Sequence, residues 1–269
     1  MRDRYSMKIK GPNGKTITTS RPCGNGVSMV YNAKYVEGDS ITLEVGADYG
    51  HYFIKFDDAL PEVLVYIPQR DLGGVLKFFV PGERELVCFS PKSFAGDMHV
   101  ISARKASAEE LKVSKNLALN PYDGSKNDTF FPHATANVET RNEAVFEARN
   151  AIDGCFENAS HGKFPYTSWG INRNPEAAHT IDFGRDVEVS EIRITLRADY
   201  PHDNYWTQGD VIFSDGTTET LKFTKTAEAQ CFPIEKRVIR TVVFTNLIQS
   251  DEASPFPALT QIEVIGVEA

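Results

Sequence analysis

Long apolar runs are missing from this 269-residue chain: its most apolar stretches, such as Val63 to Ile67, fall far short of the roughly 18–20 residues a membrane-crossing helix needs. The opening residues, MRDRYSMKIKGPNG, have no apolar core of the kind a secretion signal carries, so a cytoplasmic location is expected. Cysteine is sparse too. Cys23, Cys88, Cys155 and Cys231 form no C-x-x-C pair, which excludes zinc-ribbon and dithiol redox spacing, and their apolar neighbourhoods read as small buried hydrophobes rather than disulfide partners. No basic run is interleaved with aromatics. Up to Lys115 there are 16 Lys and Arg against 14 Asp and Glu, and beyond it 13 against 23, so the acidic second part would repel a phosphate backbone and nucleic acid is an unexpected partner.

Several catalytic signatures are absent as well. Gly14-Lys15-Thr16 resembles the end of a phosphate loop, but the opening glycine should stand at position 9, which is Ile9. Gly24-Asn25-Gly26 lacks the third glycine of a dinucleotide fingerprint. Neither G-x-S-x-G nor H-E-x-x-H occurs, and the six histidines are scattered. A carboxylate pair for glycoside cleavage could be Asp199 with Asp203, although acidic residues in a solvated loop serve more often as surface. The chain is therefore expected not to be an enzyme.

What is present is β-structure. With 41% hydrophobic and 25% charged residues the composition is that of a globular protein, neither disordered nor fibrous. Short strands are predicted at 40–45, 52–56, 63–67, 75–80, 85–89 and 98–103, separated by turns such as Gly73-Gly74 and Pro81-Gly82. Ser107 with Glu110 spells a capping box for one short helix. Strands resume at 180–183, 191–196, 209–213, 218–223, 238–245 and 261–265, with one or two helical turns around Ala144 to Asn150. The clearest is Ile192, Ile194 and Leu196 alternating with Arg193, Thr195 and Arg197, the period of a strand with one buried face. The expected architecture is all-β: two tandem β-sandwich, jelly-roll-like domains, 1–112 and 113–269, joined by a short helical linker.

The segment richest in recognition chemistry runs from Arg197 to Trp206 and holds Arg197, Asp199, His202, Asp203 and Asn204 beside Tyr200, Tyr205 and Trp206. Planar donors next to flat apolar faces suit a sugar, whose hydroxyls are oriented by Arg, Asp, Asn or His while its C–H face lies against a ring. Two further aromatic-polar segments, His161 to Arg173 (with Tyr166 and Trp169) and Phe130 to His133, repeat that chemistry. Each residue has a plainer reading: Trp169 and Trp206 as core, Arg197 and Asp199 as an ion pair, His202 as a loop hydrogen bond. A sugar site built on the 197–206 segment requires that segment to face open water.

Motifs along the second half add a resemblance. Asn116-Leu-Ala-x-Asn120, Ala134-x-Ala136, Asn150-Ala-Ile-Asp-Gly154, Ser168-Trp169, Thr180-Ile-Asp-Phe-Gly184 leading into Val189-Ser-Glu-Ile-Arg-Ile194, and Ala258-Leu-Thr-Gln-Ile-Glu-Val-Ile-Gly266 come in that order. Together they resemble the discoidin, or coagulation-factor type C, galactose-binding-like family. The resemblance implies a non-catalytic carbohydrate-binding domain with its ligand held by loops at one end; the residues read above as its contacts are Arg197, Asp199, His202, Asp203, Trp206, Trp169, Tyr166 and His133. It also implies a possible structural calcium near Asp153 and Gln261, weaker than usual because Gln261 stands where a carboxylate is customary. The alternatives are a protein-interaction scaffold or homo-oligomer and, behind it, a glycan-processing enzyme. The first 112 residues carry no comparable motif set.

Overall fold

The computed structural model describes residues 5–70, 73–159, 161–198 and 204–269. The chain divides into two compact units, one formed by Met1–Glu110 with Lys126–Phe131 and the other by Leu111–Ser125 with Pro132–Ala269. The return of 126–131 to the first unit has no counterpart in the sequence reading. It is fastened there by main-chain bonds between Tyr66 and Phe131 at 2.8 and 2.9 Å.

The first unit contains β1 (Ser6–Lys10), β2 (Thr16–Thr19), β3 (Arg21–Cys23), β4 (Gly26–Tyr31), β5 (Ser40–Gly46), β6 (Gly50–Lys55), β7 (Val63–Ile67), β8 (Gly74–Phe79) and β9 (His99–Lys105). They form two antiparallel sheets, ordered β2-β1-β5-β8 and β3-β4-β9-β6-β7. Met7, Ile9, Ile41 and Leu43 from one sheet and Tyr52, Ile54, Val63 and Val65 from the other are at most 3% exposed, giving a β-sandwich core. Each such aliphatic side chain contributes about 1.5–3 kcal/mol by leaving water.

One expected strand is absent. Residues 85–89 follow Pro81-Gly82 and begin instead as a helical turn, α1 (Glu83–Leu86), because the Glu85 carboxylate accepts the Gly82 N–H at 2.9 Å and outcompetes extended pairing. The predicted capping box does form at α2 (Ala108–Leu111): Ser107 N–H donates to Glu110 at 2.9 Å and Glu110 N–H to the Ser107 hydroxyl at 3.3 Å. Cys88 is buried, but Cys23 and Cys231 are exposed, contrary to the expectation from their neighbours; Cys231 falls on an outward position of its strand. All four cysteines are free thiols.

The second unit contains β10 (Lys115–Asn116), β11 (His133–Ala136), β12 (Trp169–Gly170), β13 (His179–Leu196), β14 (Trp206–Phe213), β15 (Thr218–Lys222), β16 (Gln230–Gln249) and β17 (Ala258–Glu268). Their order is β10-β17-β13-β16-β14-β15, with β11 added to β13 and β12 to β17. The strands expected separately at 180–183 and 191–196 are one, β13, whose pairing is interrupted by bulges between Asp182 and Val187 and between Val189 and Glu191. Such bulges bend a strand and let it serve both halves of a curved sheet. Its buried Ile181, Phe183, Val187, Ile192 and Ile194 meet Val242, Phe244, Ile262 and Val264 in the core. The helical turns expected around Ala144 to Asn150 are 3₁₀ turns, Ala144–Phe146 and Ala148–Ile152, preceded by a third at Thr140–Asn142.

Candidate functional site

One concavity of the second unit is assembled by pairing. β12 lies antiparallel to the start of β17, with Trp169 opposite Leu259 and Gly170 opposite Ala258, which brings residues 170–173 beside 255–258. The 3₁₀ turn at 140–142 joins them through Asn172 N–H, which donates to the Thr140 hydroxyl at 2.9 Å. Only glycine suits position 170: a Cβ there would stand 2.6 Å from the Thr140 oxygen and 3.3 Å from Phe146. The hollow so formed has a volume of about 150 Å³ and is lined by Thr140, Arg141, Phe146, His161, Asn172, Arg173 and Phe256, with Pro255 and Pro257 at its edge. That is below the roughly 300–1,000 Å³ of clefts that enclose a drug-sized ligand, so an occupant would be held by one face and one edge.

Its chemistry is cationic and aromatic. The Arg173 guanidinium lies 4.7 Å from the centroid of Phe256, which is 43% exposed, and that of Arg141 lies 5.4 Å from Phe146. Arg141 grips Glu143 with two parallel bonds of 2.6 and 2.8 Å, leaving three of its five N–H groups for other acceptors. Among the described residues Arg173 is in no ion pair, and its guanidinium lies over the Phe256 ring. The backbone here is strained: Arg141, Asn142, Asn172 and Arg173 have φ of 53°, 51°, 48° and 59°, a left-handed conformation that non-glycine residues enter at a cost of about 1–3 kcal/mol and that clusters at functional sites.

The residues singled out in the sequence fare differently. Trp169 and Trp206 are fully buried, their rings 6.3 Å apart, Trp169 donating to the Val138 carbonyl at 3.0 Å and Trp206 packing edge-on to Phe244 at 6.0 Å. Neither offers a face to a ligand. Both stand at inward positions of core strands, where a large apolar ring gains most by burial. Arg197, also fully buried, donates to the Tyr166 carbonyl, and its own N–H donates to Ala258 at 2.9 Å, so it straps three segments together instead of lining a cradle. Tyr166 is 9% exposed. Asp199, His202 and Asp203 lie outside the described residues.

His133 faces a separate, polar hollow of about 230 Å³ between Ser125 and Asn142, held by Asp123 at 2.8 Å; no Phe, Tyr or Trp is among the described residues that line it. Asp153 and Gln261 are brought together, Gln261 Nε2 donating to Asp153 Oδ1 at 2.8 Å. Burial pushes the Asp153 carboxyl up to about 6, against the pull of the Arg149 guanidinium. Among the described residues no three His, Cys, Asp or Glu side chains cluster to hold a metal ion.

Sequence reasoning passed over Arg141, Phe146 and Phe256. An aromatic ring between two prolines in a polar loop, Ser254-Pro255-Phe256-Pro257, was a usable signal, since proline fixes the backbone and keeps the ring out of a strand. Nothing in the local sequence of Arg141 marks it.

No protein-family model and no curated protein matches the chain. Solved structures do. Chitosan-binding module 1 from a chitosanase/glucanase of Paenibacillus sp. IK-5 is 20% identical, the match covering 57% of this chain and 100% of that one, with a TM-score of 0.38. A Streptococcus pneumoniae fucose-binding module, SpX-3, is 17% identical over 56% of this chain and 96% of that one, TM-score 0.40. The family 32 module of C. perfringens NanJ, solved with galactose, is 18% identical over 49% and 91%, TM-score 0.38. All three of these structures are carbohydrate-binding modules.

Proposed function

We propose that the second unit binds a carbohydrate without cleaving it, in the hollow between the 140–142 turn, residues 170–173 and the 255–258 loop. The observation that carries this reading is the half-exposed Phe256 ring beside the Arg173 guanidinium, 4.7 Å away and in no ion pair among the described residues. A pyranose lays its C–H face on the exposed part of the ring while Arg173, Arg141 and Asn172 donate to its hydroxyls, the pairing of flat apolar and planar polar groups that sugars require. Arg141 and Arg173, on left-handed backbone in two different turns, line the same hollow. No carboxylate is among the residues lining the hollow, so the pair of acids that glycoside hydrolysis uses has no counterpart among the described ones.

Few hydroxyl contacts in a shallow site imply a modest affinity, ~1 mM to 1 μM for one sugar unit. A glycan array followed by titration calorimetry on the full chain tests this. Saturable binding of a glycan, weakened by Phe256→Ala, is expected; a folded protein that binds no glycan on the array overturns the reading.

A further inference from the structure

Gln261 stands near the start of β17, 1% exposed, and its side chain reaches across to the turn that follows Ile152. Its amide nitrogen lies 2.7 Å from the Asn150 carbonyl, 2.7 Å from the Thr260 carbonyl, 2.8 Å from Asp153 Oδ1 and 3.3 Å from the Cys155 carbonyl. A primary amide carries two hydrogens. Four oxygens therefore converge on an atom that can serve two of them fully, and one of the four is a carboxylate.

The orientation of the amide is fixed from its other end. Gln261 Oε1 accepts the Gly154 N–H at 2.9 Å. Turning the amide over would set its oxygen against four oxygens and its NH₂ against an N–H, losing every bond at once. Three carbonyls and a carboxylate around one point are the donors that a hard cation such as calcium takes, six to eight oxygens at roughly 2.3–2.6 Å. Here the point is filled by nitrogen, and the oxygen that could complete a cation's shell is turned away. The residues present do not fit the calcium that the family resemblance implies.

We infer that the Gln261 amide takes the place of a cation: it gathers the oxygens of the 150–155 turn onto β17 as a neutral, metal-independent clasp. Replacing the amide NH₂ by an oxygen supplies what a cation lacks here, so one substitution converts the clasp into a calcium site. The inference is independent of whether a sugar binds at the hollow.

Thermal unfolding of the full chain in calcium and in chelator, with calorimetric calcium titration, tests it. The unaltered protein is expected to unfold at one midpoint in both and to show no saturable calcium binding. Gln261→Glu is expected to unfold earlier in chelator and to recover in calcium, with saturable binding. Gln261→Met, which keeps the length and removes the amide, is expected to unfold earlier in both solutions alike. Calcium binding or a chelator-sensitive midpoint in the unaltered protein overturns the inference, as does a Gln261→Met protein as stable as the unaltered one or a folded Gln261→Glu protein indifferent to calcium.

Discussion

Phe256 and Trp206 show how residue type and residue role part company. Both are aromatic rings in polar surroundings along the chain, yet Phe256 is 43% exposed and Trp206 is fully buried. Substitutions should separate them. Arg173→Ala and Phe256→Ala remove exposed groups, so the melting temperature should hold within the equivalent of about ±0.5 kcal/mol while sugar affinity falls about tenfold or more. Trp206→Ala leaves a cavity among Trp169, Phe244 and their neighbours and should lower stability by about 3–5 kcal/mol, read by denaturant unfolding. Unchanged stability in Trp206→Ala would show that the ring is not where the fold places it.

At the scale of elements, the alternation of Ile192, Ile194 and Leu196 was readable because a strand with one buried face has a period of two, and these residues are buried as expected. The join of 180–183 to 191–196 was not readable, because Gly184 to Asp186 carries no apolar alternation and lies in the bulge between the Asp182 and Val187 pairings with β16. The 85–89 segment misled for a related reason: Leu86, Val87, Cys88 and Phe89 look like a strand, but a local Glu85 to Gly82 bond captures the chain first. Pairing across strands also makes demands invisible in one strand alone. At Gly266 in β17 a Cβ would come within 2.0 Å of the Glu188 carbonyl oxygen. Gly266→Ala should therefore destabilise by at least about 1–3 kcal/mol through displaced backbone, and Gly124→Ala, with nothing within 4 Å of its Cβ and no positive φ, should stay within about ±0.5 kcal/mol. Equal losses in the two variants would argue against the β13–β17 register.

For the whole molecule, acid sensitivity follows from His179. The ring is fully buried, its Nε2 2.9 Å from the Ala148 carbonyl, and burial holds its pKa down to about 4 from 6.5, with Ala148 and Asp123 opposing. Because the folded pKa is the lower one, the unfolded chain takes up the proton first as pH falls, so stability is lost between about pH 6.5 and 4, by about 3 kcal/mol at the bottom of that window. Asp153 acts oppositely in an overlapping range, since its folded pKa is raised from 3.8 to about 6 and protonation favours the fold. The difference between the unaltered protein and His179→Gln cancels the Asp153 contribution. His179→Gln should gain stability relative to the unaltered protein as pH is lowered from about 6.5 to 4; parallel curves would refute the assignment.

The all-β class, the short capped helix at 107–111 and the apolar faces of the long strands were determined by the sequence itself, since they depend on residue periodicity and on bonds spanning three residues. The tertiary structure alone decided which rings face water, which oxygens surround Gln261 and which turns meet at the hollow. Those are contacts between positions about thirty to more than a hundred residues apart, set by strand pairing and by the fit of one glycine against a neighbouring turn. No local pattern records where a distant carbonyl or guanidinium will arrive.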